Sequence, residues 1–394
     1  MKKIAPLLSV LFILLGLTGC WSKKELSEIA IVTALGIDMI EDGYRVSIQI
    51  VNPGAIAAKT GGQDLGMLVY AAEGRTVLEA IRRLTTVAPR KPYFAHLRVV
   101  IFGEETAKAG LRKPLDFLSR DHSMRTDFVI TIAKGMKAED QIKVLTPMEK
   151  VSANKIYTSI ETAEKHWAPT KIVLLDELVS ALISEGKEPI ITGLEVLGNP
   201  EIGNKRENIE RVQVPVTIKS DYIGVLKEDK LVDWLDERES KGFNYITDNI
   251  TNTVGFIECE GGGTITIETI RSKTDMKGIF EKDKPKIKIH ITTEADIADV
   301  ECPIDISKTE TITELEHKFN KKTEAIILES IDKAKKLKTD IYGFGEALSR
   351  ADAKKWERLK HTWDEEFTKL DVETKIDIKI RRTGTITESF QKEE

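Results

Sequence analysis

His96-Leu97-Arg98-Val99-Val100-Ile101-Phe102-Gly103 is a β-prone run that predicts a buried strand in the first part of the chain. Residues 106–119 follow with a helical pattern on either side of Gly110 and Pro114. A buried strand joined closely to a helix indicates layers of mixed α and β structure.

The surrounding residues predict further strands and helices that intermix along the chain. Two β-prone runs, 29–37 and 44–51, flank the turn Glu41-Asp42-Gly43 and predict a hairpin. Other strands are expected at 68–73 and 127–133, and helices at 76–87, 148–162 and 173–183. We interpret residues 20–185 as an N-terminal mixed α/β domain.

A change of composition marks residues 186–252, where short β-prone runs are separated by turns. Strands are predicted at 190–197, 212–218, 222–227 and 230–234. Residues 244–250 fit either a final strand or a short helix. We interpret this block as a middle strand-rich domain.

Residues 253–394 combine long strands with the clearest helix of the chain. Strands are predicted at 255–260, 264–271, 286–295 and 372–381, and helices at 309–338 and 351–367. This order predicts a sheet backed by helices on one face. The fold class is therefore α+β with three mixed α/β domains, in keeping with a length that exceeds what one hydrophobic core usually supports.

The N-terminus predicts export and lipid attachment at Cys20. Lys2 and Lys3 precede an uncharged, mostly apolar stretch at 4–17, and Leu17-Thr18-Gly19-Cys20 closes it. We expect residues 1–19 to be removed as a lipoprotein signal peptide, leaving Cys20 with S-diacylglycerol and an amino group open to N-acylation. The alternative is an ordinary signal peptide with a chance cysteine.

The charge balance argues against a nucleic-acid partner. Removing residues 1–19 takes two lysines and no acid from 59 Lys and Arg and 64 Asp and Glu, so the formal net charge moves from −5 to −7. Polyphosphate binding needs a basic face, and no long Lys/Arg cluster is present. No second apolar run is long enough to span a bilayer, so Cys20 is the only membrane attachment predicted.

A search for catalytic, cofactor-binding or metal-binding motifs finds none. The six histidines lack the one-turn spacing of paired zinc ligands, and there is no Gly-x-Ser-x-Gly elbow. Gly261-Gly262-Gly263 joins two predicted strands and is interpreted as a hairpin turn. Cys259 and Cys302 could pair outside the cytoplasm, but spacing does not decide this, and we expect unpaired, partly buried thiols.

Several motifs together resemble the Ger(x)C family, the C subunits of spore germinant receptors. They are Trp21-x-x-x-Glu25-Leu26, Gly36-Ile37-Asp38, 96–103 with Gly103-Glu104-Glu105-x-Ala107-x-x-Gly110, Leu115-Asp116-Phe117-Leu118-x-Arg120-Asp121, Lys230-Leu231-Val232-Asp233-Trp234-Leu235-Asp236-x-x-Glu239-Ser240-x-Gly242, and Asp340-x-Tyr342-Gly343-Phe344-Gly345 with Trp356 and Trp363. Ser22 and Asp233 depart from the family pattern. The resemblance covers essentially the whole chain after Cys20.

The resemblance implies a lipoprotein on the outer face of the inner membrane of a dormant spore, assembled with polytopic A and B subunits that sense nutrients. It also implies three α/β-type domains and no established enzymatic activity. A substrate-binding lipoprotein of a transporter is the alternative, and an exported hydrolase is third. On this basis the protein is expected to be a non-catalytic scaffold, with exposed aromatics and the loop 52–66 as candidate contacts with its partners.

Overall fold

The computed structural model describes residues 28–57, 65–259 and 262–382. Its strands in chain order are β1 Ile29–Ile40, β2 Gly43–Val51, β3 Met67–Gly74, β4 Lys91–Tyr93, β5 Val99–Gly103, β6 Val129–Ala133, β7 Ile190–Leu197, β8 Thr217–Lys227, β9 Lys230–Leu235, β10 Thr253–Glu258, β11 Thr264–Glu281, β12 Lys284–Val300 and β13 Asp371–Arg382. Its helices are α1 Pro53–Ala57, α2 Val77–Arg83, α3 Glu104–Ala109, α4 Arg112–Arg120, α5 Ala138–Ile142, α6 Ser152–His166, α7 Leu175–Ile183, α8 Pro200–Gly203, α9 Glu237–Ile246, α10 Thr309–Leu337, α11 Phe344–Ala351, α12 Ala353–Leu359 and α13 Trp363–Lys369. Short 3₁₀ turns occupy Leu84–Thr86, Arg206–Asn208 and Lys360–Thr362.

A large mixed sheet runs in the order β3-β2-β1-β5-β6-β7-β8-β9, with β4 also beside β1. Strands β1, β5, β6 and β7 are parallel, and antiparallel strands flank them on both sides. Both faces of the sheet are covered. Val100 and Phe102 pack in a core shared with α2, α4 and α7, while Val99 and Ile101 pack with α5 and α6. This two-sided burial explains the continuous apolar run and confirms the predicted strand.

A smaller sheet has the order β10-β11-β12-β13 and is covered by helices on one face, as predicted. Ile289 and Ile291 of β12 are buried, whereas Lys288 and His290, which alternate with them, are exposed on the other face. The outer edge of β13 is also covered, because Asn320 and Glu316 of α10 accept hydrogen bonds from the backbone of Ile378 and Ile380 at 2.8 and 3.0 Å. Helix side chains thus occupy an edge that could otherwise pair with another chain.

Helix α10 confirms the prediction for 309–338, but the strands before it are longer than expected. The prediction ended β11 at residue 271, where charged residues become frequent, and the strand continues to Glu281. Lys273, Asp275 and Lys277 lie exposed along this extension. These charged residues lie on the solvent-exposed face of the strand, since side chains alternate between the two faces.

The structure corrects two predicted elements, the strand at 212–218 and the helix at 351–367, and decides between the two alternatives for 244–250. No strand covers 212–216: Val212 is fully exposed and β8 begins at Thr217, merging two predicted strands into one. Residues 244–246 form the end of α9, which begins with a capping box between Asp236 and Glu239, so the helix alternative was the better one. The predicted helix 351–367 is interrupted, because Asp352 caps a new helix, α12, and a 3₁₀ turn follows it.

The large sheet continues across the predicted boundary at residue 185. Strand β7 pairs with β6, and β8 and β9 extend the sheet from there. One core also contains buried residues of both sheets, among them Val100, Phe243 and Ile289. The division at 20–185, 186–252 and 253–394 stays a prediction about folding units.

Cys259 and Cys302 form a disulfide, so the expectation of two unpaired thiols was wrong. Their Cα atoms are 6.3 Å apart. The physical reason is the strand order: β10 and β12 both pair with β11, with Glu258 opposite Thr264 and Val300 opposite Ile265. The two cysteines therefore follow the two strands that flank β11, at the same end of the sheet. The strands on either side of the Gly262-Gly263 segment are antiparallel partners, which confirms the hairpin turn.

Candidate functional site

Cys20, the one site residue predicted from the sequence, lies outside the described residues. Within 28–57, 65–259 and 262–382, no helix has both the length and the apolar character needed to cross a membrane. In the same ranges, no three His, Cys, Asp or Glu side chains come together as a metal site. Two other regions bring polar family-motif residues together in the interior.

The first region lies at the carboxyl ends of the parallel strands, where open α/β sheets commonly bind ligands. A cleft of about 940 Å³ is lined by the β1–β2 turn, by residues 75–78 and by 112–117 of α4. A smaller recess of about 280 Å³ lies next to it, at the ends of β1, β5 and β6. We refer to the two together as the strand-end cleft.

Asp38 organises the floor of the strand-end cleft. It is 4% exposed, and its two carboxylate oxygens accept hydrogen bonds from the backbone N–H groups of Ala138 and Glu139 at 2.8 and 2.9 Å. It thereby caps α5 from another part of the chain. Burial raises the pKa of Asp38, while these two hydrogen bonds oppose the rise. A Cβ at Gly103 would lie 2.1 Å from the Asp38 carboxylate, so only glycine fits there.

An ion-pair network borders the same recess. Arg45 donates through both Nε and a terminal nitrogen to Glu139, and it also pairs with Glu73 at 3.1 Å. Lys143 reaches Glu139 at 2.8 Å. The hydrogen bonds from Arg45 lower the pKa of Glu139 to about 2. These charged groups pair with one another, and the pairs stabilise the wall of the recess.

Replacing Arg45 with Met is expected to destabilise the protein by about 1–2 kcal/mol at neutral pH. A carboxylate whose folded pKa is depressed contributes stability above its ordinary pKa, and that contribution disappears as pH falls. The full shift of Glu139, from 4.5 to about 2, would correspond to about 3 kcal/mol, and we discount it because Arg45 is 34% exposed.

Denaturant unfolding of the wild type and of Arg45→Met should therefore differ more at pH 7 than at pH 3, because the contribution is lost as pH falls from 4.5 toward about 2. Arg83→Met is the matched control, since its pair with Glu79 is exposed and should contribute little at either pH. An equal loss at both pH values would show that Arg45 acts through packing and not through the charge of Glu139.

The second region is a buried carboxylate between the two sheets. Asp340 is 3% exposed, and its Oδ1 accepts N–H groups of Tyr342, Gly343 and Phe344 at 3.0–3.2 Å. Its Oδ2 accepts the N–H of Gly345 at 2.8 Å and, from α13, the indole N–H of Trp363 at 3.1 Å. Burial raises the pKa of Asp340 to about 6, and the donors oppose that rise.

This carboxylate lies where a segment of the large sheet meets the small one. The N–H of Glu188 donates to the carbonyl of Asp340 at 2.7 Å, just before β7 begins. A Cβ at Gly186 would lie 2.6 Å from the backbone nitrogen of Glu346, so the two backbones are in direct contact. We call Gly186, Asp340–Gly345 and Trp363 the Asp340 junction. It fixes the helices of the small sheet against the large one.

The aromatic part of the last family motif surrounds this junction. Tyr342 stacks on Phe344 with ring centroids 5.0 Å apart, and its hydroxyl is hydrogen-bonded to Ser330 at 2.8 Å. Trp356 and Trp363 pack edge to face at 5.1 Å. The motif was visible in the sequence, but the role of Asp340 was missed. A short acidic residue three positions before Gly-x-Gly is the signal that could have indicated a turn held by its side chain.

The candidate partner contacts fall into two groups. Of the exposed aromatics, Trp167 and Phe256 are each covered by a lysine ammonium, Lys241 at 3.4 Å and Lys322 at 3.6 Å from the ring centroid. The loop 52–66 is closed at its base, because the N–H of Asn52 donates to the carbonyl of Gly66 at 2.9 Å. Residues 58–64 of that loop lie outside the described part of the chain.

A nine-stranded mixed sheet packed against a four-stranded sheet defines the fold class. The crystal structure of the GerBC protein has a similar fold. That structure matches with a TM-score of 0.53 and 20% identity, over 88% of this chain and 96% of its own. The sequence then defines the family. The model for the spore germination protein N-terminal domain matches residues 22–196, and that for the spore germination B3/GerAC-like C-terminal domain matches 221–384. The chain belongs to this family, as the resemblance to Ger(x)C proteins indicated.

Individual relatives align over nearly the whole chain. Spore germination protein KC of Bacillus subtilis (strain 168) is 32% identical, with 96% of each chain covered. Spore germination protein B3 of the same organism is 24% identical, over 98% of this chain and 100% of its own. Each alignment therefore spans the residues of this chain that both family models match.

Proposed function

We propose that this protein is the lipid-anchored C subunit of a spore nutrient germinant receptor. The observation that carries the proposal is the alignment with spore germination protein KC, which covers 96% of both chains and spans both family domains. Lipid on Cys20 would hold the protein on the outer face of the spore inner membrane. Polytopic A and B subunits would be its partners in triggering germination.

Within the receptor, the subunit acts as a non-catalytic component. The polar groups of the strand-end cleft support this role: Asp38 uses both oxygens to cap α5, and Glu139 is bound by Arg45 and Lys143. At the Asp340 junction, the carboxylate accepts five N–H donors. Each of these groups has a structural task, which suits a rigid scaffold.

The alternative of a transporter's substrate-binding lipoprotein has less support. Such a protein is expected to contain two similar α/β lobes. The two sheets here differ in strand number, order and direction. The family match is also to spore germination proteins over both halves of the chain.

Crosslinking in spore membranes tests the assembly directly. A photo-crosslinking residue would be placed at exposed positions on the strand-end cleft, such as Leu78, and on the open face of the small sheet, such as Lys288. Recovery of the A or B subunit from one face and not the other would identify the contact surface. Recovery of neither subunit from any exposed position would contradict the scaffold role.

Replacing Cys20 with Ala is expected to abolish lipid attachment while leaving the fold intact. Diacylglycerol supplies two acyl chains, which anchor stably where a single chain binds reversibly. Labelling with a radioactive fatty acid should mark the wild type and the Ser22→Ala control but not Cys20→Ala. Germination with the cognate nutrient should fall at least about tenfold, in proportion to the protein lost from the membrane. A variant that stays on the membrane and germinates normally would show that partner contacts suffice.

A further inference from the structure

We propose that the segment from the last two residues of α2 to the first residue of β4 is the face that this protein presents to an anionic lipid surface. The segment comprises residues 82–91, Arg-Arg-Leu-Thr-Thr-Val-Ala-Pro-Arg-Lys, and we call it the basic loop. The inference rests on the proposed lipid anchor at Cys20, and adds which side of the folded protein faces the membrane.

The basic loop lies at the point where the chain leads toward Cys20. The backbone N–H of Lys91 donates to the carbonyl of Glu28, the first described residue, at 3.3 Å, and Ile29 pairs with Lys91 in the sheet. Glu28 is eight residues after Cys20 in the sequence. Even a fully extended chain of that length spans at most about 28 Å, so the loop stays near the anchored lipid.

Charge distinguishes this loop from the rest of the surface. Arg82, Arg83, Arg90 and Lys91 are all exposed. Two carboxylates accompany them: Glu79, which pairs with Arg83, and Glu28 beside Lys91, so the patch is net positive. The chain after residue 19 has a formal net charge of −7, since 57 Lys and Arg remain against 64 Asp and Glu. An anionic bilayer therefore attracts this patch and repels most of the remaining surface.

An apolar tip lies among these charges. Val87 is 53% exposed, and Pro89 beside it is exposed as well. The tip is held outward because Val87 and Ala88 both donate backbone N–H groups to the carbonyl of Leu84, at 3.1 and 2.8 Å, while the Leu84 side chain is fully buried. Apolar side chains flanked by Arg and Lys suit the boundary between headgroups and acyl chains.

Facing the membrane through the basic loop would place the β1–β2 turn, one wall of the strand-end cleft, on the far side. Strand β1 has 12 residues, begins beside the basic loop and ends at Ile40 on the cleft. At about 3.3 Å per residue, Ile40 lies roughly 36 Å from the start of the strand. Residues near that turn would then lie farther from the bilayer than the basic loop.

The test uses the full lipidated protein, bound to vesicles through Cys20. Val87→Cys is labelled with a polarity-sensitive dye, and Met39→Cys, exposed at the other end of β1, is the matched control. The native Cys259–Cys302 pair and the acylated Cys20 leave the introduced thiol as the target. In phosphatidylglycerol vesicles containing spin-labelled lipid, the dye at 87 should be quenched at least about threefold more than the dye at 39.

Charge variants decide whether lipid charge is the cause. Arg82→Glu combined with Arg90→Glu and Lys91→Glu should remove the difference between positions 87 and 39, whereas Arg82→Lys combined with Lys91→Arg should preserve it. Phosphatidylcholine vesicles should also abolish the difference. Equal quenching at 87 and 39 in anionic vesicles to which the protein floats would overturn the inference and leave the anchor standing.

Two further outcomes would also overturn the inference. A protein that does not float with vesicles of either composition lacks the anchor, so the orientation fails with it. Quenching at 87 that appears only when the A and B subunits are reconstituted would show that protein partners, and not attraction to the lipid surface, set the orientation.

Discussion

Asp340→Ala is expected to lower the free energy of unfolding by about 3–5 kcal/mol, among the largest losses for a single substitution in this chain. The substitution removes the acceptor of four backbone N–H groups and of the Trp363 indole N–H, all within a junction that is closed to solvent. Each buried donor left without a partner costs about 1–3 kcal/mol, and relaxation or entering water would recover part of the sum. The loss should appear in urea unfolding at neutral pH.

Two control variants separate the causes of that loss. Asp332→Ala changes an exposed position of α10 and should alter stability by less than about 0.5 kcal/mol. Asp340→Asn keeps the shape of the side chain and one acceptor oxygen, so its loss should be intermediate. A loss below about 1 kcal/mol for Asp340→Ala would contradict the view that this carboxylate holds the two sheets together.

Removal of the disulfide is expected to cost about 4 kcal/mol, as estimated from the loss of chain entropy in a cross-linked unfolded state. Cys259 and Cys302 are separated by 43 residues, which include all of β11 and β12. Without the bond, the unfolded chain gains the freedom of that whole segment. The double variant Cys259→Ala and Cys302→Ala should therefore unfold at a lower urea concentration than the wild type.

A reductant supplies the internal control for this prediction. It should lower the stability of the wild type to near that of the double variant, and leave the double variant unchanged. Either single variant should lose about as much as the double one, because one cysteine cannot form the bond. A wild type that is unaffected by complete reduction would show that the cross-link adds nothing to the stability of the small sheet.

Features that depend on residues close together in the sequence were predicted more accurately than features that depend on residues far apart in the sequence. The helix predicted at 309–338 is α10, Thr309–Leu337, because its apolar stripe repeats within contiguous residues. Strand β5 was predicted because its apolar residues are likewise contiguous in the sequence. Helix α5 was missed, since it has five residues and takes its cap from Asp38, 100 residues earlier. A cap that comes from a distant residue leaves no pattern in the sequence around the helix.

Other features depended on which elements become neighbours. The cysteine pair was predicted to be unbonded because adjacency of β10 and β12 to the same strand is a property of the sheet. The helix predicted at 351–367 was too long, since its residues turn repeatedly to place Trp356 and Trp363 beside the Asp340 junction. Packing there outweighs local helical preference.

Four features could be recognised in the sequence alone: the lipidation motif at Cys20, the mixed α and β character, the long helix and the family motifs. Each of them is encoded in residues that are close along the chain. The tertiary structure was needed to show that Asp38 caps α5, that Asp340 joins the two sheets, and that the basic loop lies beside Glu28, the first described residue. These contacts join residues far apart in sequence. They exist only because strand order and helix packing bring those residues together.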